Sequence, residues 1–340
     1  MLLRSSISLL WLMSLALVLH TPAASGQAQV ADPNISVLRA ILSQPEATMD
    51  LARIELTIDQ MIDPSINIDA SLQQIDSITT TIRIGLPPNP TSWQTMLGLR
   101  SYLYQAGPWN GYQRYQYDLT EPFGRSVHNK LLPNYLATRK GNCVSMPLLY
   151  IALGQRLGLD VTASTAPNHL FVKYRDNQGQ IYNLEATSGG NPWRIESFMR
   201  YMPMTDLALK NGLYMQWLTK REIVAVMIET LIEFYDQQGW QERRIALADL
   251  ALHYYPKDVA AMLAEGNAYS VLIKRDFQQN YPDAHDIPIN QRPLFLHLKR
   301  ESAYWYQKAE ALGWREPDEV SNAQYLQLVN RVQLAQQQGN

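Results

Sequence analysis

One cysteine, Cys143, stands where a glycine-bearing loop meets a run of helical spacing, and that junction limits the folds open to the chain. The segment reads Arg139-Lys140-Gly141-Asn142-Cys143-Val144-Ser145-Met146-Pro147-Leu148-Leu149-Tyr150. Asn142 is a good helix cap. Met146, Leu149, Tyr150, Leu153 and Leu157 then recur at helical intervals, and Gly158 supplies a stop. The thiol is therefore expected in the first turn of a buried helix, where unpaired N–H groups and the helix dipole favour an anion. His169 and Glu185 follow, each in a short strand-like run. A thiol at a helix start, a histidine on one strand and a carboxylate on the next are the parts of a Cys-His-acid nucleophile system.

The two runs, 169–174 and 180–185, flank Asp176-Asn177-Gln178-Gly179, a hairpin pattern. Strand register then sets a condition. His169 and Glu185 form a cross-strand pair on one face only if the hairpin loop holds an odd number of residues, 176–178 or 175–179. A four-residue loop puts Glu185 opposite Leu170, on the wrong face.

The start of the chain bears on compartment. A basic Met1-Leu2-Leu3-Arg4 precedes a mostly apolar stretch to His20, and small residues follow through Ala28. This pattern is that of a signal peptide over 1–28, with export to the periplasm or medium. The competing reading is a retained anchor, for which the apolar run is short against the roughly 20 residues of a span. A single cysteine allows no internal disulfide. In an oxidising compartment an unpaired thiol needs a reason: catalysis, inert burial or an intermolecular bond. The net charge is −2 with acids and bases interspersed, so no basic stripe marks a nucleic-acid partner.

Further parts follow the leader. A helical N-terminal region is expected over 29–130, with 29–36 as a loose linker. Leu51, Ile54, Ile58 and Ile62 mark one helix face, and Leu72, Ile75, Ile78 and Ile82 another, split by Pro64. A third helix is expected over 91–104, then an irregular stretch over 105–129. The chemistry lies in a core over 131–214. From 215 to 340 the chain is helical in pattern. Small residues (Gly239, Ala248, Gly266, Ala268) and Pro256 suggest a tetratricopeptide-like hairpin, and Ala303, Lys308, Ala309 and Gly313 part of another, spaced apart by a proline-rich insert.

The stretch Gly141 to Tyr150, followed by Arg156-Leu157-Gly158-Leu159, resembles the nucleophile helix of the transglutaminase-like superfamily. Pro167-Asn168-His169-Leu170-Phe171-Val172 resembles its histidine strand. Asn183-Leu184-Glu185-Ala186-Thr187-Ser188-Gly189-Gly190 resembles its acid strand and the glycine turn after it. The helical flanks are similar to those of a bacterial branch. The resemblance implies an α+β fold: a papain-like core of nucleophile helix on a small antiparallel sheet, a helical N-terminal segment and an all-α tetratricopeptide-like C-terminal part. Glu185 stands where aspartate is commoner, and glutamate can also orient an imidazole.

The same resemblance assigns roles. Cys143 is the nucleophile, His169 the general base and then acid, Glu185 the orienter, and the Cys143 backbone N–H an oxyanion donor. For a second donor, Asn129, Asn134 and Tyr135 are candidates, each with a competing cap or turn role. Asn168 is a turn residue or a substrate contact. His128 could approach the site, whereas His253, His285 and His297 belong to the tail. No histidine pair has metal-ligand spacing and no phosphate loop or dinucleotide fingerprint occurs, so no cofactor or metal is expected. The leading expectation is an exported enzyme that attacks a peptide or glutamine carboxamide to form a thioester, with hydrolysis preferred over cross-linking. The alternative is a non-catalytic scaffold that binds a protein or cell-envelope component.

Overall fold

The computed structural model describes residues 32–317 and 319–338, so the expected leader lies outside the described residues. Helix α1 (Pro33–Leu42) begins inside the stretch read as a linker. Asp32 accepts the Asn34 N–H and Pro33 takes the first helical position, so a cap and a pre-set φ start the helix where periodicity was too thin to show it. Helices α2 (Leu51–Ile62) and α3 (Ile68–Gly85) are capped by Asp50 and Asn67. The two expected apolar stripes, Leu51 to Ile62 and Leu72 to Ile82, are buried. A reciprocal box between Thr91 and Gln94 opens α4 (Ser92–Tyr104). The irregular stretch holds a short strand, β1 (Gln116–Tyr117). After α5 (Leu132–Thr138), Arg139 turns left-handed at φ 57° into β2 (Lys140–Gly141), which pairs in parallel with β1.

Helix α6 (Ser145–Arg156) is central. Every residue from Ser145 to Gly154 is buried, as a helix apolar nearly all round must be. Beyond it, β3 (Asp160–Ala166), β4 (His169–Arg175), β5 (Ile181–Glu185) and β6 (Asn191–Trp193) form an antiparallel sheet in chain order. α6 contacts α2 to α5 as well as β3 and β4. A Cβ on Gly154 would lie 2.7 Å from Val161 Cγ2, so a glycine is what lets α6 approach β3. β4 is covered on both faces. The Phe171 ring lies 4.3 Å from that of Phe198 on α7 (Ile195–Tyr201), and on the other face the Tyr174 hydroxyl meets Ser92 Oγ at 2.6 Å. The outer edge of β3 is also covered, because Met215 and Leu218 donate their N–H groups to the carbonyls of Thr165 and Ala163.

The remainder is helical: α8 (Asp206–Lys210), α9 (Lys220–Gln237), α10 (Gln241–Tyr254), α11 (Val259–Ile273), α12 (Arg292–Leu312) and α13 (Glu319–Gln338). Helices α9 to α12 pack each on the next, and α9 also lies on α2. The Tyr235 hydroxyl of α9 donates to Asp32 at 2.7 Å and accepts from Asn34 at 2.9 Å, fastening the first described helix to the later ones. From Asp32 onward the chain forms one compact unit, with a core that draws on residues from Leu38 to Leu328. The expected boundaries at 131 and 215 fall inside it. Among the described residues no helix is long and apolar enough to cross a membrane.

Candidate active site

The thiol is positioned from upstream by close packing. A Cβ on Gly141 would sit 2.6 Å from the Tyr135 ring and 2.7 Å from Ser145 Oγ, so only glycine fits beneath the turn that carries Cys143. Asn142 does the capping. Its Oδ1 accepts from Val144 N–H at 2.9 Å and Ser145 N–H at 3.3 Å, its carbonyl accepts from Met146, and Ser145 Oγ accepts its own N–H. The regular helix begins at Ser145, so Cys143 sits in the capped turn just ahead of α6 rather than within its first turn. The side chain is half-buried. The Cys143 N–H meets no acceptor among the described residues.

The hairpin between β3 and β4 brings the second group in. Its two-residue loop is Pro167-Asn168, with Asn168 left-handed at φ 53°, which a Pro–Asn turn supplies. Asn168 is therefore the turn residue, and its carbonyl lies 3.9 Å from Cys143 Sγ. His169, the first residue of β4, is buried at 6% exposure.

The third group arrives through the register of β4 on β5. The loop is five residues, 176–180, with Arg175 opposite Ile181 and Val172 opposite Leu184. The odd number keeps His169 and Glu185 on one face. The register is shifted by two residues from that of either loop expected from sequence, which keeps the face but sets Glu185 diagonal to His169 rather than opposite it, a separation long side chains still bridge. Glu185 Oε2 meets His169 Nε2 at 2.7 Å, with both groups buried. Glu185 Oε1 accepts from Thr187 N–H at 3.0 Å and Thr187 Oγ1 at 2.7 Å. The carboxylate is thus fixed at both oxygens. Gly189 and Gly190 turn left-handed beyond it, and the Gly190 N–H returns to the Glu185 carbonyl at 2.9 Å.

The electrostatics follow from this burial. A carboxylate can only accept, so Nε2 carries the proton toward Glu185 and Nδ1 is left for the thiol. Nδ1 has no hydrogen-bond partner at regular geometry, yet Cys143 is close enough to act on the ring both as a hydrogen-bond partner and as a charge. Desolvation is the largest influence on His169 and pulls its pKa down. Glu185 first, and then Cys143, outweigh it and raise the imidazole from 6.5 to about 10. Glu185 and a thiolate at Cys143 therefore both favour the imidazolium, the state in which Nδ1 holds the proton of the thiol.

The structure brings Cys143, His169 and Glu185 together and sets the other candidates in supporting roles. Asn129 donates to Asp118 at 3.1 Å and its carbonyl accepts from Ser145 Oγ, while Asn134 donates to Asn129. Tyr135 is buried with its ring edge-on to Tyr115. His128 is exposed and its charge acts on Asp63. His253 lies on α10, His285 in the short turn Ala284–Asp286, and His297 on α12 beside Glu301. Two residues not foreseen stand near the thiol. Tyr117 is held beside Gly141 by the β1–β2 ladder, and its hydroxyl lies 3.2 Å from that of Tyr325 on α13. In each phenol, burial first and a Cys143 charge second push the pKa above the ordinary range. No local pattern could have flagged a tyrosine 208 residues from its partner.

Residues 69–229 match the transglutaminase-like superfamily. The match opens in α3 and closes in α9, wider than the 131–214 expected from motifs, and it contains Cys143, His169 and Glu185. A UPF0162 protein of Xylella fastidiosa (strain 9a5c) is similar at 23% identity over 205 residues, spanning 56% of this chain and 70% of that protein. Among solved structures, menin, described with its binding site for the Mixed Lineage Leukemia (MLL) protein, aligns over 88% of this chain and 87% of its own. The identity there is 13% and the TM-score 0.40, too distant to carry an argument.

Proposed function

We propose that this transglutaminase-like domain is a cysteine enzyme that cleaves an amide through a thioester. The observation that carries the reading is the His169 ring, held by Glu185 at Nε2 and open at Nδ1 on the side of the Cys143 thiol. In this reading Nδ1 takes the thiol proton as Sγ bonds to the amide carbon, and the Cys143 N–H holds the charge that moves onto the carbonyl oxygen. Nδ1 then protonates the departing nitrogen as the C–N bond breaks. Water, deprotonated by the same nitrogen, attacks the thioester and frees the thiol. Hydrolysis is favoured over cross-linking because water needs no acceptor site built for it. The substrate class is a peptide or a glutamine carboxamide.

The leader pattern supports export, and the pairwise packing of α9 to α12 supports a tetratricopeptide-like arrangement. The test is release of ammonia or free amine from glutamine-containing peptides, with hydroxylamine added to trap the thioester as a hydroxamate. Release is expected to vanish in Cys143→Ala and to fall on the order of 10²–10⁴-fold in His169→Ala. Absence of Cys143-dependent release, together with an iodoacetamide alkylation rate indifferent to His169→Ala, would instead support a non-catalytic binding protein.

A further inference from the structure

The backbone N–H of Cys143 is a single oxyanion donor, and acyl transfer commonly engages two. The upstream residues considered for the second are committed elsewhere or buried in packing. The C-terminal helix offers another. The hydroxyls of Tyr117 and Tyr325 both reach the Pro122 carbonyl, at 2.8 and 3.0 Å, and lie 3.2 Å from each other. One carbonyl with two candidate donors stays satisfied when one of them turns away. Tyr117, the closer of the two and set in the β1–β2 ladder, is the anchor.

Tyr325 is the donor that can turn. Its ring is braced 5.9 Å from that of Phe123, and α13 is held to the rest of the domain by Arg331, which donates to the Tyr201 hydroxyl at 2.9 Å, and by contacts with α7 and the 186–188 turn beyond Glu185. Its hydroxyl therefore lies beside that of Tyr117, which pairs with Gly141 in the ladder leading to Cys143, on a helix that also touches the turn after Glu185. We propose that the Tyr325 hydroxyl is the second oxyanion donor, so that a residue of the C-terminal helix completes the catalytic site of the transglutaminase-like domain. This rests on Cys143 being the nucleophile. Burial, then the Cys143 charge, keep the phenol protonated through the working pH range, so the donor is present when the oxyanion forms.

Two probes separate this role from simple cover. With p-nitrophenyl acetate, Nδ1 takes the thiol proton, Sγ bonds to the ester carbon, and the carbonyl electron pair moves onto oxygen. Collapse restores the carbonyl and expels p-nitrophenolate, leaving acetyl-Cys143. Iodoacetamide reacts at the same sulfur by displacing iodide, with no oxyanion. In the full chain, Tyr325→Phe is expected to slow p-nitrophenolate release by at least about ten-fold, toward the 10²–10³ seen for loss of one oxyanion donor. Alkylation and the melting temperature should stay near those of the parent.

Equal rates with both probes in Tyr325→Phe overturn the assignment, as does faster reaction with both, which marks Tyr325 as cover only. A loss in Tyr117→Phe without one in Tyr325→Phe moves the donor to Tyr117 and also overturns it. The nucleophile reading fails separately: Cys143 then takes neither probe, or takes both at rates that ignore His169→Ala.

Discussion

Replacing Glu185 by glutamine isolates the charge that holds His169. The side chain keeps its shape, and its remaining oxygen can still accept from Thr187. What goes is the anion 2.7 Å from Nε2. Raising the imidazole from 6.5 to about 10 corresponds, at about 1.4 kcal/mol per pH unit, to roughly 5 kcal/mol of preference for the imidazolium, shared between Glu185 and Cys143. Removing one partner of a buried pair costs about 3–5 kcal/mol, which fits a share of that size. Because the folded-state pKa lies above the unfolded one, this stabilisation is complete below about pH 6.5 and drains away as pH climbs through 10. Urea denaturation at pH 6, 8 and 10 should therefore show Glu185→Gln less stable by about 3–5 kcal/mol at pH 6. By pH 10 the gap should shrink toward about 1 kcal/mol, the worth of a neutral hydrogen bond. The His169 ring, followed by NMR, should titrate lower in the variant. A gap that stays constant with pH would refute the reasoning.

Three other outcomes follow from the packing. Gly154→Ala should cost a net ~1 kcal/mol in chemical denaturation, since crowding against Val161 outweighs the helix propensity gained; a stabilised variant contradicts it. Glu265, raised by burial and then by Asp249 from 4.5 to about 9, favours the fold most below pH 4.5 and loses that benefit as pH rises. Glu265→Gln should flatten the stability profile and be the more stable protein at pH 9, and parallel profiles for the two proteins would count against this. A chain ending at residue 214 strips the cover from the β3 edge and removes α9, whose buried Ile223, Val226 and Met227 belong to the helix that packs on α2. It should fail to melt cooperatively, and a sharp thermal transition in that fragment would show α9 to be dispensable.

The parts legible in the sequence are those written by local chemistry. Cap, spacing and stop gave α6, and Gly158 does end it in the left-handed region at φ 77°. The parity of the β4–β5 loop put His169 and Glu185 on one face, although the register lay two residues away because the loop spans 176–180 rather than 176–178 or 175–179. What escaped was written elsewhere. The start of α1 depends on a cap and a proline more than on apolar spacing. β6 is three residues long, too short for any periodicity, and is tied in by Arg100, which reaches Asn191 and the Gly189 carbonyl. Tyr325 meets the site only after the chain has folded, so no window of neighbouring residues contains the signal.

The clasp between Asp32 and Tyr235 has a consequence for how the molecule comes into being. A buried acid on the first helix finds its hydroxyl partner 203 residues later, and contacts of such long range close slowly. While a ribosome is still adding α9, the N-terminal helices lack the surface they are shaped to meet. The growing chain thus stays open until most of it has been made. Under the proposed export, that delay would keep the chain in the unfolded state a translocation channel requires.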